Sequence, residues 1–123
     1  MANGNKIVLD TNVILYLLQG ELIESQIPSG RYFISFITEL ELLSFPKITP
    51  MEEQSIRKFL NDINIVDTSP LLKENAILLR KKYHLKLPDA IICATAFILN
   101  AHLVSADQAF DKVRSIKTIH LKI

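Results

Sequence analysis

Short apolar runs alternate along the chain with longer stretches in which apolar positions recur every three or four residues, the rhythm of parallel βα units. Lys6–Leu9 (KIVL) reads as a buried strand, followed by a helix that Asn12 caps, running through Leu18 and stopping near Gly20. Residues 32–35 predict a second strand, and residues 38–44 a helix capped by Thr38 and ended by Pro46. Thr49-Pro50-Met51-Glu52 combines a hydroxyl cap, a proline at the first helical position and a glutamate three residues after the cap, so a helix to about residue 61 follows. A third strand is expected over 63–66, then a helix opened by Ser69-Pro70 and reaching about Tyr83. Pro88 opens a helix over 90–99 that is apolar all round and belongs deep against the sheet, with Ala90, Ala94 and Ala96 permitting close approach. Residues 103–105 predict a fourth strand, 107–113 a short helix and 118–121 a last strand.

At 123 residues with no Gly/Ser-rich linker, the whole of 1–123 is expected to be one folding unit, without repeats or low-complexity segments. A hydrophobic content of 49% against 22% charged residues, with a mean hydropathy of +0.24, leaves an apolar surplus suited to covering a partner. The longest apolar stretch, 90–99, is too short for the roughly 20 residues that span a bilayer, so no membrane role is expected. The opening MANGNK lacks the apolar core of a signal peptide, and a single cysteine, Cys93, cannot form an internal disulfide; both favour a cytoplasmic protein. A net charge of +1 argues neither for nor against nucleic acid. Positive charge does cluster, at Arg57-Lys58, at Arg80-Lys81-Lys82 with His84 and Lys86, and at Lys112, Arg114 and Lys117, where solvated helix faces compete with local anion contacts.

In open parallel sheets, ligands sit beyond the carboxyl ends of the strands, which makes acids at those ends informative. Asp10 follows the first strand directly, Asp67 follows the third, and Asp107 comes two residues after the fourth. Asp89 lies in the first turn of the apolar helix, and Glu39 and Glu41 both lie in a leucine-rich helix whose spacing does not separate them. Taken singly, Asp67 suits a turn, Asp89 a helix dipole and Asp107 a cap. Taken together, converging carboxylates repel and raise one another's pKa unless a cation neutralises them. Magnesium takes oxygen ligands, keeps several waters and needs few carboxylates, and metal ions of this kind serve phosphodiester hydrolysis.

Four segments in order then resemble the PIN-domain family: Leu9-Asp10-Thr11-Asn12; Ser35-x-x-Thr38-x-x-Glu41-Leu42; Leu87-x-Asp89-Ala90-x-Ile92 with Ala94-Thr95-Ala96; and Ser105-x-Asp107-x-x-Phe110. Their spacing and the short chain resemble the VapC-like toxins of toxin–antitoxin pairs. The resemblance implies a three-layer α/β/α fold with a mostly parallel sheet, and an endoribonuclease that hydrolyses RNA with Mg2+ or Mn2+. It implies Asp10, Glu41, Asp89 and Asp107 as catalytic metal ligands, with Asn12 and Ser105 in support. It also implies a cognate antitoxin, and with the apolar surplus a homodimer. It selects Glu41 over Glu39 and sets aside Asp67 and Asp111. Ala109 departs from relatives that carry a polar or acidic residue before the phenylalanine, which leaves open whether one or two ions are bound.

Cys93 reads as a small buried hydrophobe rather than a nucleophile, and His84, His102 and His120 form no ligand-spaced pair. An aspartyl-phosphate phosphatase would want a second acid where Asn12 stands. A receiver-like signalling domain would use Asp67 and leave Glu41 and Asp89 idle. A PIN fold kept only for binding is the remaining alternative.

Overall fold

A computed structural model of the chain describes residues 5–22 and 24–122. Of the opening MANGNK, the first four residues lie outside that range. Five strands form one sheet: β1 (Lys6–Leu9), β2 (Arg31–Ser35), β3 (Asn64–Val66), β4 (His102–Ser105) and β5 (Lys117–His120). Between them run α1 (Thr11–Leu18), α2 (Phe36–Ser44), α3 (Pro50–Asp62), α4 (Pro70–Tyr83) and α5 (Leu87–Leu99). The strand order is β3-β2-β1-β4-β5 and every pairing is parallel, so the sheet among the described residues is wholly rather than mostly parallel.

Strand alternation assigns the two faces. Val8 and Leu103 point into a core shared with Leu72, Ala76 and Leu79 of α4 and with Ala90, Ile92, Cys93, Ala94 and Ala96 of α5. Ile7, Leu9, Ile34 and Val104 point the other way, against Val13 and Ile14 of α1, Leu42 of α2 and Ile56 of α3. The result is the expected three-layer α/β/α arrangement. Because the chain leaves β1 toward β2 on one side and meets β4 on the other, the order reverses between β1 and β4. That junction is the topological switch point, where a crevice opens at the carboxyl ends of the strands.

Local chemistry accounts for most element ends. Thr49 and Glu52 form the capping box that starts α3, Ser69 caps α4 ahead of Pro70, and His84 and Asn100 close α4 and α5 in the left-handed conformation. Gly30, just before β2, has no room for a side chain: a Cβ there would come within 2.6 Å of the Asn5 carbonyl oxygen and 2.8 Å of Ile7 Cδ1.

Four expectations need correction. Asp10, not Asn12, caps α1: its carboxylate accepts from the Thr11 amide, and Asn12 lies one residue inside the helix with its side chain exposed. Ser35, not Thr38, caps α2, which begins two residues earlier than expected. The helix expected over 107–113 is a single 3₁₀ turn, Gln108–Phe110, because an Asp cap at Asp107 serves a short turn as well as a helix and buried Phe110 anchors it at once. Finally, α5 is deeply packed but not on all sides, since Leu87 and Phe97 at its two ends are exposed.

Candidate functional site

The switch point is occupied by Asp10. It ends β1, its backbone amide donates to the Val104 carbonyl of β4 (3.0 Å), and its side chain is 5% exposed. Both carboxylate oxygens are held: Oδ1 accepts from the Thr11 amide and Oδ2 from the Ser105 hydroxyl, each at 2.8 Å. Ser105, fully buried at the end of β4, also accepts from the Asp107 amide at 2.9 Å. One hydroxyl thus ties the end of β1 to the turn that carries Asp107. The Asp107 carboxylate in turn accepts from the Ala109 amide (2.9 Å) as the cap of its 3₁₀ turn, and its side chain is exposed.

Glu41 reaches the same region through Thr11, whose hydroxyl donates to Glu41 Oε1 at 2.7 Å and lies 3.0 Å from the Thr38 hydroxyl. Thr11 has one hydrogen to give and the carboxylate accepts it, so the contact with buried Thr38 is made by the Thr38 hydrogen. Sequence reasoning missed Thr11 and gave Thr38 a capping role. The available signal was their place in the first and second motifs.

Asp89 and Asp107 lie near enough to act electrostatically on Asp10, and Asp107 and Glu41 on Asp89. Burial pushes the Asp10 carboxyl up from 3.8 to about 6; hydrogen bonds from Ser105 and Thr11 oppose the rise, and nearby Asp89 and Asp107 add to it. Asp89 is raised too, by partial burial and then by Asp107 and Glu41, while Lys86 and Lys112 pull it down. Beneath them, burial pushes the Cys93 thiol up to about 12, with Asp89 and Asp10 contributing. A free, fully buried thiol held neutral is inert, as expected for core packing.

The donor set consists of carboxylate and hydroxyl oxygens, and the buried Asp10 anion is disfavoured until a positive charge arrives, which fits a hard divalent cation. Among the described residues, no three acidic, histidine or cysteine side chains are gathered closely enough to enclose one. The arrangement suits an ion that keeps much of its water.

The remaining acids fall outside this neighbourhood. Asp67 ends β3 at the sheet edge, is exposed, and accepts from the Thr68 amide at 2.7 Å, as a turn residue does. Asp111 is exposed and faces His120 Nδ1 at 3.5 Å. No helix among the described residues is long and apolar enough to cross a membrane.

These features define a doubly wound α/β protein with coupled carboxylates at its switch point. The sequence model of the PIN domain matches residues 7–116, nine-tenths of the chain, and the chain belongs to the PIN-domain family. Membership removes the phosphatase and receiver readings. Comparison with curated proteins finds no match. Among solved structures, the chain is similar to one from a toxin–antitoxin complex of Klebsiella pneumoniae, at 30% identity over 94% of this chain and 99% of that one, with a TM-score of 0.75. It shares the fold of a chain in the Rickettsia felis VapBC2 complex bound to a promoter DNA fragment, at 21% identity, a TM-score of 0.80, and coverage of 95% and 99%. The fold also matches a chain in DNA-bound VapBC from Salmonella typhimurium, at 17% identity, a TM-score of 0.78, and coverage of 94% and 98%.

Proposed function

We propose that the chain is a Mg2+- or Mn2+-dependent endoribonuclease, the toxin of a toxin–antitoxin pair acting in the cytoplasm. The observation that carries the reading is Asp10: a buried carboxylate at the switch point, held by Ser105 and Thr11 and raised to about 6 beside Asp89 and Asp107. Asp10, Glu41, Asp89 and Asp107 would hold the ion, which supplies a nucleophilic water at neutral pH and offsets charge on the phosphodiester. Ser105 fixes the rotamer of Asp10 and the position of the Asp107 amide, and Thr11 orients Glu41. Asn12, exposed beside Asp10, is left to touch solvent or substrate. An antitoxin partner is supported by the Klebsiella pneumoniae toxin–antitoxin complex, and a homodimer by exposed Leu71, Leu78 and Ile77 on α4.

The looseness of the acid group favours a second reading, a PIN fold that binds without cutting. One experiment separates the two. Purified protein incubated with single-stranded RNA is expected to cleave it in magnesium or manganese and to stop in EDTA. Undiminished cleavage after exhaustive chelation would refute the metal mechanism; binding without cleavage in either ion would establish the second reading.

A further inference from the structure

Thr38, the third residue of α2, is fully buried, and valine would fill the same volume there without the cost of burying a hydroxyl. It lies on the face of α2 that carries Glu41, three residues further on. Both side chains close on one atom of α1. The Thr11 hydroxyl donates to Glu41 Oε1 at 2.7 Å, and its oxygen lies 3.0 Å from the Thr38 hydroxyl. Since Thr11 has a single hydrogen to give, donation runs from Thr38 to Thr11 and from Thr11 to Glu41.

Thr11 also gives its backbone amide to Asp10 Oδ1 at 2.8 Å, so one residue holds two carboxylates, one through its main chain and one through its side chain. The start of α1 fixes the amide but not the hydroxyl. A helical threonine divides between two χ1 wells, and leaving the one it occupies here would swing the oxygen away from Glu41. Because Thr11 opens α1, no preceding helical turn offers its hydroxyl a carbonyl that would select a well. The hydrogen donated by Thr38 does select one, the well that serves Glu41.

Resting on the metal-site reading above, we propose that Thr38 is a positioning residue that acts through Thr11 to fix where the Glu41 carboxylate stands relative to Asp10, and so how tightly the pair holds a divalent cation. Thr38 itself touches neither the ion nor the substrate. Its hydroxyl works at two hydrogen bonds' remove, by holding the rotamer of the residue that joins the two acids.

The test is Mn2+ binding without RNA, read from the electron paramagnetic resonance signal of the free ion. The proteins are wild type, Thr38→Val, Thr38→Ala, Thr38→Ser, Thr11→Val and the Thr11→Val/Thr38→Val double variant, with melting temperatures in EDTA showing which are folded. Losing a group that orients a metal ligand weakens binding by about ten- to a hundredfold, which is the expectation for Thr11→Val. Thr38→Val and Thr38→Ala, one bond further out, should each weaken it by about three- to tenfold, and Thr38→Ser should return it to within about twofold of wild type. The double variant should bind like Thr11→Val alone, because without the Thr11 oxygen Thr38 has nothing to act through. Thr38→Ala carries the comparison should Thr38→Val not fold. Wild-type affinity in a folded variant lacking the Thr38 hydroxyl would overturn the proposal and leave the metal site standing. Losses that multiply in the double variant, a loss that Thr38→Ser does not restore, or failure of both hydroxyl-free variants to fold would also overturn it, by assigning Thr38 to the fold alone. A wild type that binds no Mn2+ at millimolar concentration would remove the metal-site reading and the proposal with it.

Discussion

Replacing Asp10 with asparagine should make the metal-free protein more stable, by an amount that depends on pH in a defined way. A carboxyl that titrates near 6 in the fold but near 3.8 when unfolded binds its proton more tightly in the native state. Folding stability from this group is therefore complete below about pH 3 and is lost as pH rises through 6, with the deficit constant above about pH 7. The size is about 3 kcal/mol, since each tenfold in proton affinity is worth about 1.4 kcal/mol. An amide in its place would carry no such charge. It keeps the acceptor for the Thr11 amide, but its NH₂ meets the Ser105 hydroxyl where an oxygen had accepted, at a cost of about 1 kcal/mol. The net gain at pH 7.5 is about 2 kcal/mol, or a melting temperature higher by about 6–10 °C for a domain of this size. Urea unfolding of both proteins in EDTA at pH 4, 5, 6 and 7.5 reads the difference directly. The advantage of Asp10→Asn should grow by about 2 kcal/mol between pH 4 and 6 and level off by about pH 7. A difference that does not change with pH, or a variant less stable at pH 7.5, would refute the buried-charge account.

Ser105→Ala removes the donor to Asp10 Oδ2 and the acceptor of the Asp107 amide, so a loss of about 1–2 kcal/mol is expected, with the Asp10 pKa rising further because the hydrogen bond favours the anion. Carboxyl carbon NMR titration checks it, and an unshifted or lowered value would contradict the bridge. Cys93, buried and held neutral, should resist a thiol reagent at pH 8 until the protein unfolds; labelling of native protein within seconds would mean that α5 opens readily.

The strands and helices were legible where periodicity and punctuation agreed: KIVL, the Thr49-Pro50 start of α3 and the Ser69-Pro70 start of α4 fell within a residue of expectation. Cap identity was harder to read, because Asp10, Thr11 and Asn12 all carry oxygens able to cap, and the turn geometry that selects Asp10 is set by the Val104 pairing of β1 with β4. That pairing, and with it the switch point, is a property of strand order, which no local pattern records. The same limit hid the Thr11–Glu41 bond, 30 residues apart in sequence, and the Ser105–Asp10 bond, 95 apart. Periodicity did not separate Glu41 from Glu39; in the fold, Glu41 is the one whose carboxylate accepts from the Thr11 hydroxyl. Asn12, which the resemblance placed in support, is exposed in the first turn of α1 beside Asp10.

The central claim is that the acids at the switch point, and not other strand-end acids, carry nuclease chemistry. The most direct measurement is the rate of RNA cleavage in magnesium by wild type, Asp10→Asn and Asp67→Asn, with melting temperatures confirming that all three are folded. Removing Asp10 should lower the rate by at least about a hundredfold, in line with the loss of an inner metal ligand. Asp67→Asn should retain activity, because an amide keeps the turn hydrogen bond to Thr68. Cleavage that survives Asp10→Asn but fails in folded Asp67→Asn would contradict the account.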